Sequence, residues 1–503
     1  MTTAVRRKVD AYHDSMRLLA ATRAIENGAG VSWGAALMGT QSNLELLTDH
    51  GVDATGARAN DLVLAARADT EADAESALDA AEAVLDGPVP AAAENTRSRR
   101  RTTAEAAASM PGANVAVVSV PGAYAALEAH HALSAGLHVL LFSDGVAVDD
   151  EIALKGRADR LGLLVMGPGA GTAVLGGIGL GFANAVRQGR VGVVAAAGTG
   201  AQEVMALLAA AGTGVAAVIG VGGRDLSRDV GGSMTRAALR TLAVDPDLDV
   251  VLLVSKPPDP DVLASVLPAA GDKPVVVVAL GIDDTLVPGV RVARTIDEGV
   301  EFALGKVGVS PPELGTGLGH MARAAIHGLD PARKAIRGVF SGGTLCYQAM
   351  LVLSRRLGPV YSNAPLRPDW RLPAPPSAHI CIDAGEEEFT TARPHPMIDA
   401  AARADLLTEA GDDRSTAVLL FDVVLGHGAH PDPAGALAPV VEATTGPAVV
   451  INVVGTDADP QGLDGQRRRL AEAGALIAPT GARAALLAAA IAGRRPSVVE
   501  ELP

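Results

Sequence analysis

Short, wholly apolar segments recur along this chain, and a helical pattern follows most of them. Three of the clearest are VVLLV at 250–254, VVVVA at 275–279 and AVLLF at 417–421. Strands that are apolar on both faces must be covered on both faces, as they are in a parallel sheet flanked by helices. Alternation of such strands with helices also implies right-handed crossover connections. The sequence therefore predicts an α/β fold built on parallel sheets.

The composition indicates a core of small aliphatic side chains and excludes one class of function. Hydrophobic residues make up 49% of the chain but aromatic residues only 2%, so Ala, Val, Leu and Ile must fill the core. The formal net charge of −15 argues against a nucleic-acid partner, because nucleic-acid binding needs a basic face.

Several features predict a cytoplasmic protein without a membrane partner. The two cysteines, Cys346 and Cys381, form no CxxC pair, which fits a reducing compartment. The first residues contain no apolar run that a signal peptide would need. Residues 161–186 carry no charge, but Pro168 and many glycines interrupt them, so we predict a strand and loop there rather than a membrane span.

The order of the predicted strands and helices divides the chain into five parts. They are an N-terminal α/β unit at 1–110, a Rossmann-like unit at 111–187, a flavodoxin-like domain at 188–310, a helical linker at 311–336 and a second flavodoxin-like domain at 337–503. The fold is thus a Rossmann-like N-terminal region followed by two flavodoxin-like domains.

An internal repeat relates the two flavodoxin-like domains. GVVAAAGTGAQEVMALL begins at Gly192, and GVFSGGTLCYQAMLVL begins at Gly338. Each copy has Gly-Thr where the strand ends, and a methionine follows six residues after the threonine. Self-similarity of this kind indicates two related structural units.

Each copy of the repeat has the form strand, small-residue turn, helix, which suits the binding of an anion. The first turn of a helix leaves backbone N–H groups unpaired, and the helix dipole makes that end positive. We predict phosphate or carboxylate binding at these turns, with close packing of helix on strand as the alternative role of the glycines. The candidate residues are Gly198, Thr199, Gly200 and Gln202 in the first copy and Ser341, Gly342, Gly343 and Thr344 in the second.

Both turns resemble those of succinyl-CoA synthetases. The GTGAQE run at 198–203 is similar to the phosphate-facing helix of the α subunit, and SGGT at 341–344 is similar to its counterpart in the β subunit. GVGGRD, which contains Gly222 and Gly223, also resembles an α-subunit signature. The resemblance implies two succinyl-CoA-synthetase-type domains whose helices aim at one site, and it adds Gly222 and Gly223 to the candidate phosphate-binding residues.

The order of parts, an α-like chain fused to a β-like C-terminal domain, is that of the FdrA family. Long runs that match this family span nearly the whole chain, and we identify the chain as a member of the family by this resemblance. The runs are MGTQSNLELL, VPGAYAALEA, FSDGVAVDDEIALK, GVGGRDLSRDVGG, VSKPP, FSGGTLCYQAM, YSNAPL, RPHPMID and GAHPDPAGAL.

The chain also departs from the synthetases at the residues that relay phosphate. Those enzymes carry phosphate on a histidine of a mobile loop, but residues 273–299 contain no histidine. Where they hold that histidine with a glutamate, this chain has Lys256, a cation suited to phosphate or carboxylate, with an exposed, solvated lysine as the alternative. The usual glycine loop for CoA and the ATP-grasp domain are missing as well. We therefore expect no phosphohistidine and no required cofactor.

Polar residues after the strands of the last domain complete the candidate site. Arg393 is the candidate clamp for a substrate carboxylate, and His395 is a candidate base or substrate contact. Asn363 and His427 are further candidate substrate contacts. No metal is expected, because the spacing of His427 and His430 supplies too few ligands.

Two carboxylate groups have open interpretations. Glu203 in the first repeat helix is a candidate base that positions a donor, but it could equally be a residue of the helix surface. The acidic residues within 383–388 are interpreted as a solvated loop.

The family resemblance implies a subunit of oxamate carbamoyltransferase in ureide (allantoin) catabolism. Such an enzyme interconverts carbamoyl phosphate and oxamate with oxalurate and phosphate, and we expect two partner subunits encoded nearby and an oligomer. The alternatives are an acyl-CoA synthetase, the one case in which CoA would bind, and a non-catalytic assembly subunit.

Overall fold

Strands and helices alternate along the chain in the computed structural model, which describes residues 2–13, 15–86, 100–282, 290–390 and 394–500. The chain divides into two compact units, with the boundary between residues 99 and 100. The predicted α/β class is confirmed, because each of the two larger sheets consists mainly of parallel strands.

The first unit is a small antiparallel sheet with helices. Its strands pair in the order β1-β3-β2, and both outer strands run antiparallel to β3. Ile25, Leu64 and Leu78 are among its fully buried side chains. Its elements are β1 (Thr2–Lys8), α1 (Ser15–Glu26), β2 (Val31–Met38), α2 (Gln41–Asp49), β3 (Leu62–Ala68) and α3 (Glu71–Asp86).

The second unit begins with a helix and a three-stranded parallel sheet of order β4-β5-β6. Helix α4 contacts α5, although the sequence assigned residues 103–109 to the N-terminal part. The elements are α4 (Thr103–Ser109), β4 (Val115–Val118), α5 (Gly122–Ser134), β5 (His138–Leu141), α6 (Val148–Leu161) and β6 (Val165–Met166).

A seven-stranded sheet of order β13-β12-β11-β9-β10-β7-β8 follows. Strands β9 to β13 are parallel, and the hairpin of β7 and β8 pairs antiparallel at the edge of β10. The sequence placed this hairpin in the preceding Rossmann-like unit. The elements are β7 (Thr172–Leu175), β8 (Ile178–Gly181), β9 (Gln188–Ala196), α7 (Gly198–Ala210), β10 (Val215–Gly220), α8 (Ser233–Ala243), β11 (Val250–Ser255), α9 (Pro260–Val266), β12 (Val275–Ala279), β13 (Val292–Ala293) and α10 (Ile296–Lys306).

Helix α11 (Leu318–Gly328) leads to a six-stranded parallel sheet of order β15-β16-β14-β17-β18-β19. The remaining elements are β14 (Ala335–Phe340), α12 (Gly343–Leu357), β15 (Val360–Tyr361), β16 (His379–Asp383), α13 (Glu387–Thr390), α14 (Ala401–Asp412), β17 (Thr416–Val424), α15 (Pro433–Ala443), β18 (Ala448–Val454), α16 (Leu463–Glu472), β19 (Leu476–Ala478) and α17 (Gly481–Ala492).

The two repeat helices follow the strands at which the strand order reverses. Strand β9, which precedes α7, lies between β11 and β10, and β14, which precedes α12, lies between β16 and β17. Ligands of open α/β sheets bind at such switch points, outside the carboxyl ends of the strands. The fold thus gives both helix N-termini a position at which binding sites commonly form.

One hydrophobic core joins the two larger sheets. It contains Met205 of α7 and Met350 of α12, the two repeated methionines, together with Leu486 of α17. All three side chains are almost fully buried. The repeat therefore has a packing role as well as any role at the helix ends. Among the described residues, no helix is long and apolar enough to cross a membrane.

Candidate functional site

The N-termini of α7 and α12 lie in direct contact. A Cβ atom added to Gly342 would lie 2.6 Å from Thr199 Cγ2, and one added to Gly200 would lie 2.8 Å from Thr344 Cγ2. Each threonine therefore packs on a glycine that belongs to the other copy of the repeat. A larger residue at either glycine would occupy the space of the opposite threonine.

Both helix ends carry backbone N–H groups that have no hydrogen-bond acceptor within the described part of the chain. The N-cap residues, Ala197 and Gly342, offer no side-chain cap. Thr199 and Thr344 are buried and add hydroxyl groups to the same place. Unpaired donors at two adjoining positive helix ends are what an anion such as phosphate needs. The unpaired N–H groups are those of Gly198, Thr199, Gly200, Gly343, Thr344 and Leu345.

Lys256, directly after β11, brings a positive charge to the N-terminus of α12. Its Nζ lies 2.8 Å from the point at which a Cβ of Gly343 would stand, and Asp383 Oδ2 lies 2.6 Å from the same point. Within the part of the chain that the structure describes, the ammonium group has no hydrogen-bond or ion-pair partner. Lys256 therefore reaches from the first flavodoxin-like domain to the N-terminus of α12 in the second.

Asp383, at the end of β16, is the principal residue that sequence reasoning missed. It is 2% exposed, so the interpretation as part of a solvated loop was wrong for this residue, whereas Glu386, Glu387 and Glu388 are exposed. Burial raises the pKa of the Asp383 carboxyl to about 7, although the Lys256 charge opposes the rise. The signal available in the sequence was its place at the carboxyl end of a strand.

Asn363 fixes Asp383 rather than facing the helix ends. Its Nδ2 donates to the Asp383 carbonyl at 3.0 Å, and its Oδ1 accepts from the Asp383 N–H at 3.0 Å. The Gly385 N–H donates to Asp383 Oδ1 at 3.0 Å. These contacts leave Oδ2 as the carboxylate oxygen directed at Gly343 and Lys256.

His395 lies beside Asp383. Its Nε2 is 3.3 Å and Asp383 Oδ1 is 3.2 Å from the position of a Cβ on Gly385. The N–H of Met397 donates to Nδ1 at 3.2 Å, so a neutral ring carries its proton on Nε2. Burial, and after it the charge of Arg403, lowers the pKa of His395 to about 4. At neutral pH His395 is thus an uncharged donor.

The loop that follows β5, in the three-stranded sheet β4-β5-β6, also reaches the region around His395. Asp144 is exposed, lies 3.3 Å from the position of a Cβ on Gly169 and acts on His395 by raising its pKa. Gly222 packs against the loop that contains Gly167 and Gly169, because a Cβ on Gly222 would lie 2.7 Å from the Gly167 carbonyl carbon. Gly223 is exposed and has open space around it.

Two predicted site residues make side-chain contacts inside the protein, and a third is exposed. The Ser341 N–H and hydroxyl both donate to the Asp422 carboxylate. Gln202 Nε2 donates to the Leu425 carbonyl at 3.4 Å. The side chain of His427 is exposed, and its backbone pairs with Ala183. Arg393 lies outside the described residues.

Glu203 is buried where the two larger sheets meet, one turn beyond the helix ends. Its carboxylate accepts hydrogen bonds from the Gly481 N–H at 2.5 Å, Asn452 Nδ2 at 3.1 Å and Gln348 Nε2 at 3.2 Å. Burial raises its pKa to about 7 in spite of these donors. The alternative of a helix-surface residue is wrong, and the contacts indicate that Glu203 joins α7 to the second sheet.

One cavity among the described residues lies away from the helix junction. It has a volume of about 720 Å³ and is lined by residues such as Lys273, Arg291 and Phe302, near the amino ends of β12 and β13. Active sites of α/β folds collect at the opposite, carboxyl ends of the strands. We therefore place the candidate site at the junction, where the titratable residues converge.

Residues 1–102 match the heavy metal-associated domain of AllF, and residues 339–491 match the CoA-ligase family. The uncharacterized protein YahF of Escherichia coli (strain K12) is 37% identical over 500 residues, which cover 96% of this chain and 97% of YahF. The chain belongs to the FdrA family. The family prediction is therefore confirmed, and with it the kinship of the FdrA chain with the succinyl-CoA-synthetase-like proteins.

The FdrA chain is also similar to part of a succinate–CoA ligase subunit and to two solved structures. Subunit alpha 2 of the ADP-forming succinate–CoA ligase of Archaeoglobus fulgidus is 29% identical over 204 residues, 39% of this chain and 69% of that protein. A dinucleotide-forming acetyl-coenzyme A synthetase of Ca. Korarchaeum cryptofilum covers 80% of this chain and 86% of its own at 15% identity and a TM-score of 0.28. The match to ATP citrate lyase of Methanosaeta concilii covers 42% of this chain and 38% of the lyase chain, at 20% identity and a TM-score of 0.33.

In this FdrA chain, residues 1–102 fit a heavy metal poorly, and the start of α5 fits CoA poorly. Soft metals favour thiolate ligands, but residues 1–102 contain no cysteine. Among the described residues, no group of three or more His, Cys, Asp and Glu side chains could hold a metal ion. At the start of α5, a Cβ on Gly122 would lie 2.3 Å from the Asp144 carbonyl oxygen, so the loop after β5 packs closely on the helix end that holds phosphates in Rossmann-like units.

Proposed function

We propose that this FdrA chain is a subunit of a carbamoyltransferase that interconverts carbamoyl phosphate and oxamate with oxalurate and phosphate. The observation that carries the proposal is the reciprocal contact of the two helix N-termini, with Lys256 Nζ beside Gly343. Such a site suits an acyl phosphate. The absence of histidine from 273–299 argues against a phosphohistidine relay.

The helix ends would hold the phosphate of carbamoyl phosphate. Their unpaired N–H groups and the hydroxyls of Thr199 and Thr344 supply donors, and Lys256 offsets the negative charge. Because phosphate gains charge as it leaves, donors aimed at its oxygens stabilise the transition state more than the bound substrate. The chain would thereby favour departure of phosphate without forming a covalent phosphoryl group.

Carbamoyl transfer also needs a base. The oxamate amide nitrogen attacks the carbamoyl carbon, a C–N bond forms, and the C–O bond to phosphate breaks with its electron pair leaving on phosphate. The amide must lose one proton. Asp383 suits this role because a pKa of about 7 makes it an effective acceptor near neutral pH. After transfer, the proton passes from Asp383 to the departing phosphate.

His395 and Arg393 would orient the acceptor. The Nε2–H of His395 lies beside Asp383 and is suited to donate to a carbonyl oxygen of oxamate. Arg393, two residues earlier in the sequence, remains a predicted clamp for the oxamate carboxylate. Glu203, held by three donors inside the protein, takes a positioning role for α7 rather than a chemical one.

Oxamate, carbamoyl phosphate and two partner subunits would be enough for the reaction in an oligomer, with no cofactor. The buried position of the helix ends would also exclude water, which protects carbamoyl phosphate from hydrolysis. The partner subunits would cover the carboxyl ends of the strands and complete the acceptor side of the site.

An acyl-CoA ligase is the second candidate. It is favoured by the match of residues 339–491 to the CoA-ligase family. Such a reaction would need CoA, a nucleotide-binding partner and a group that relays phosphate. The loop packed closely on the start of α5 and the missing histidine make this candidate the weaker one.

The test mixes the full chain with its two partner subunits. Carbamoyl phosphate and oxamate are supplied without CoA or nucleotide, and oxalurate is followed by chromatography. We expect oxalurate together with an equal amount of phosphate. If the mixture instead forms acyl-CoA from ATP, CoA and a dicarboxylate, the proposal is wrong. Equal rates with and without this chain would contradict a role for it in the reaction.

A further inference from the structure

One buried hydroxyl group at the start of α7 has no partner. Thr172, the first residue of β7, is 2% exposed. Its Oγ1 is buried and forms no hydrogen bond within the described residues. A buried polar group without a partner lowers stability, because it gives up its hydrogen bonds to water and gains none.

This hydroxyl points at the unpaired end of α7. Thr172 Oγ1 lies 3.8 Å from the position of a Cβ on Gly198, the first residue of that helix. Apart from the chain neighbours and the backbone of α7 itself, no other atom of the described residues lies within 4 Å of that point. The unpaired N–H groups of Gly198, Thr199 and Gly200 belong to the same first turn of α7.

The antiparallel hairpin sets the position of Thr172. Thr172 pairs with Gly181 across β7 and β8, and β7 pairs with β10. The Thr172 carbonyl oxygen would lie 2.5 Å from a Cβ on Gly220, so glycine lets the hairpin approach β10 closely. The Thr172 hydroxyl is thus presented to the helix end by backbone pairing.

We propose that Thr172 is a binding residue for a tetrahedral oxyanion at the N-terminus of α7, with its hydroxyl donating to a phosphate oxygen. Valine would fill the same volume without the cost of an unpaired hydroxyl, so the threonine is explained by a ligand that accepts its proton. The inference rests on the proposed function for the identity of the anion as the phosphate of an acyl phosphate.

The test compares Thr172→Val with Thr172→Ser in the full chain, with inorganic phosphate as the probe. Isothermal titration measures the phosphate Kd, and thermal unfolding without phosphate measures stability. We expect Thr172→Val to unfold at or above the wild-type temperature, because an unpaired hydroxyl has been removed. Its phosphate Kd should rise about 10-fold, the usual effect of losing a hydrogen bond to a charged group. Thr172→Ser should stay within about 3-fold of wild type.

Thr235→Val is the matched control. Thr235 is also fully buried, but its Oγ1 donates to Asp225 Oδ2 at 2.6 Å. This variant should unfold at a lower temperature and bind phosphate as wild type does. An unchanged phosphate Kd in Thr172→Val, or a loss of stability like that of Thr235→Val, would overturn the inference, as would wild-type protein that fails to bind phosphate.

The binding experiment separates the inference from the proposed function. If phosphate binding depends on Thr172 but the three-protein mixture forms no oxalurate, the anion site is supported and the carbamoyltransferase proposal is contradicted. If Thr172→Val leaves oxalurate formation unchanged, the proposed function is supported and the binding role of Thr172 is contradicted.

Discussion

Thr199 and Gly342 lie against each other where the two larger sheets meet, so that a Cβ on Gly342 would stand 2.6 Å from Thr199 Cγ2 and 3.0 Å from its Oγ1. The contact joins the first turn of one repeat helix to the N-cap of the other. It explains why a phosphate held by one helix would also lie close to the other. The close approach of the two helix ends requires glycine at position 342.

Replacing Gly342 with alanine should separate the two helix ends. The added methyl group meets a buried threonine, and overpacking of this kind costs about 1–3 kcal/mol of unfolding free energy. We expect that loss in urea unfolding and a weaker phosphate affinity in titration. Gly305→Ala is the control, because its Cβ would have open space within α10, and the variant should be neutral or slightly more stable. Equal behaviour of both variants would contradict the contact.

Replacing Lys256 with methionine should weaken phosphate binding while leaving the fold intact. The ammonium group forms no hydrogen bond or ion pair among the described residues, so its removal breaks none, although the Asp383 pKa should rise once the nearby charge is gone. We expect the phosphate Kd to rise about 10-fold, and the remaining affinity to depend less on salt. Lys306→Met, at the exposed end of α10, should change neither. A phosphate Kd that Lys256→Met leaves unchanged would remove Lys256 from the site.

Asp383 should make stability depend on pH. Its pKa is 3.8 in a reference peptide and about 7 in the folded protein, so the folded state keeps a proton that the unfolded chain loses. The free energy of unfolding must therefore fall as pH rises from about 4 to about 7. Asp383→Asn has no such proton to lose. Its stability relative to wild type should rise by about 2–3 kcal/mol between pH 5 and pH 8.

Urea unfolding at several pH values checks this expectation. A constant difference between Asp383→Asn and wild type would show that the Asp383 pKa is not raised. In the three-protein mixture, the rate of oxalurate formation should increase as Asp383 loses its proton near pH 7, and Asp383→Asn should lose that pH dependence together with most of the rate.

Glu203→Gln should destabilise the protein. All three partners of the carboxylate are N–H donors, and the new amide would set its own N–H groups against Gln348 Nε2. Gln348 cannot simply turn over, because its Oε1 accepts from the Ile296 N–H at 2.7 Å. We expect a loss of about 1–3 kcal/mol in urea unfolding. Glu301→Gln, on the exposed side of α10, is the control, and equal stability of the two variants would contradict the buried role of Glu203.

The sequence predicted the larger sheets and the paired turns, because wholly apolar strands and a repeated Gly-Thr are local patterns. It did not predict β1, a strand at the edge of its sheet whose Arg6 and Arg7 mask any apolar pattern. It also missed the hairpin of β7 and β8, because each strand has four residues and the second contains two glycines.

The candidate site was predictable only in part, because burial depends on the fold. Asp383 stands next to exposed glutamates in the sequence, and only the sheet and Asn363 bury it. Thr172 is distant from α7 along the chain, and the hairpin brings its hydroxyl to the helix end. Ser341 fits the turn pattern, yet its hydroxyl is engaged by Asp422, a residue of another strand.

The central claim is that the two helix ends bind phosphate non-covalently while carbamoyl transfer takes place. Intact-mass spectrometry of the chain, sampled at neutral pH during turnover of carbamoyl phosphate and oxamate with the partner subunits, tests it most directly. The account predicts oxalurate in solution and an unmodified mass for the chain at every time point. A mass increase of one phosphoryl group that appears and decays with turnover would contradict it.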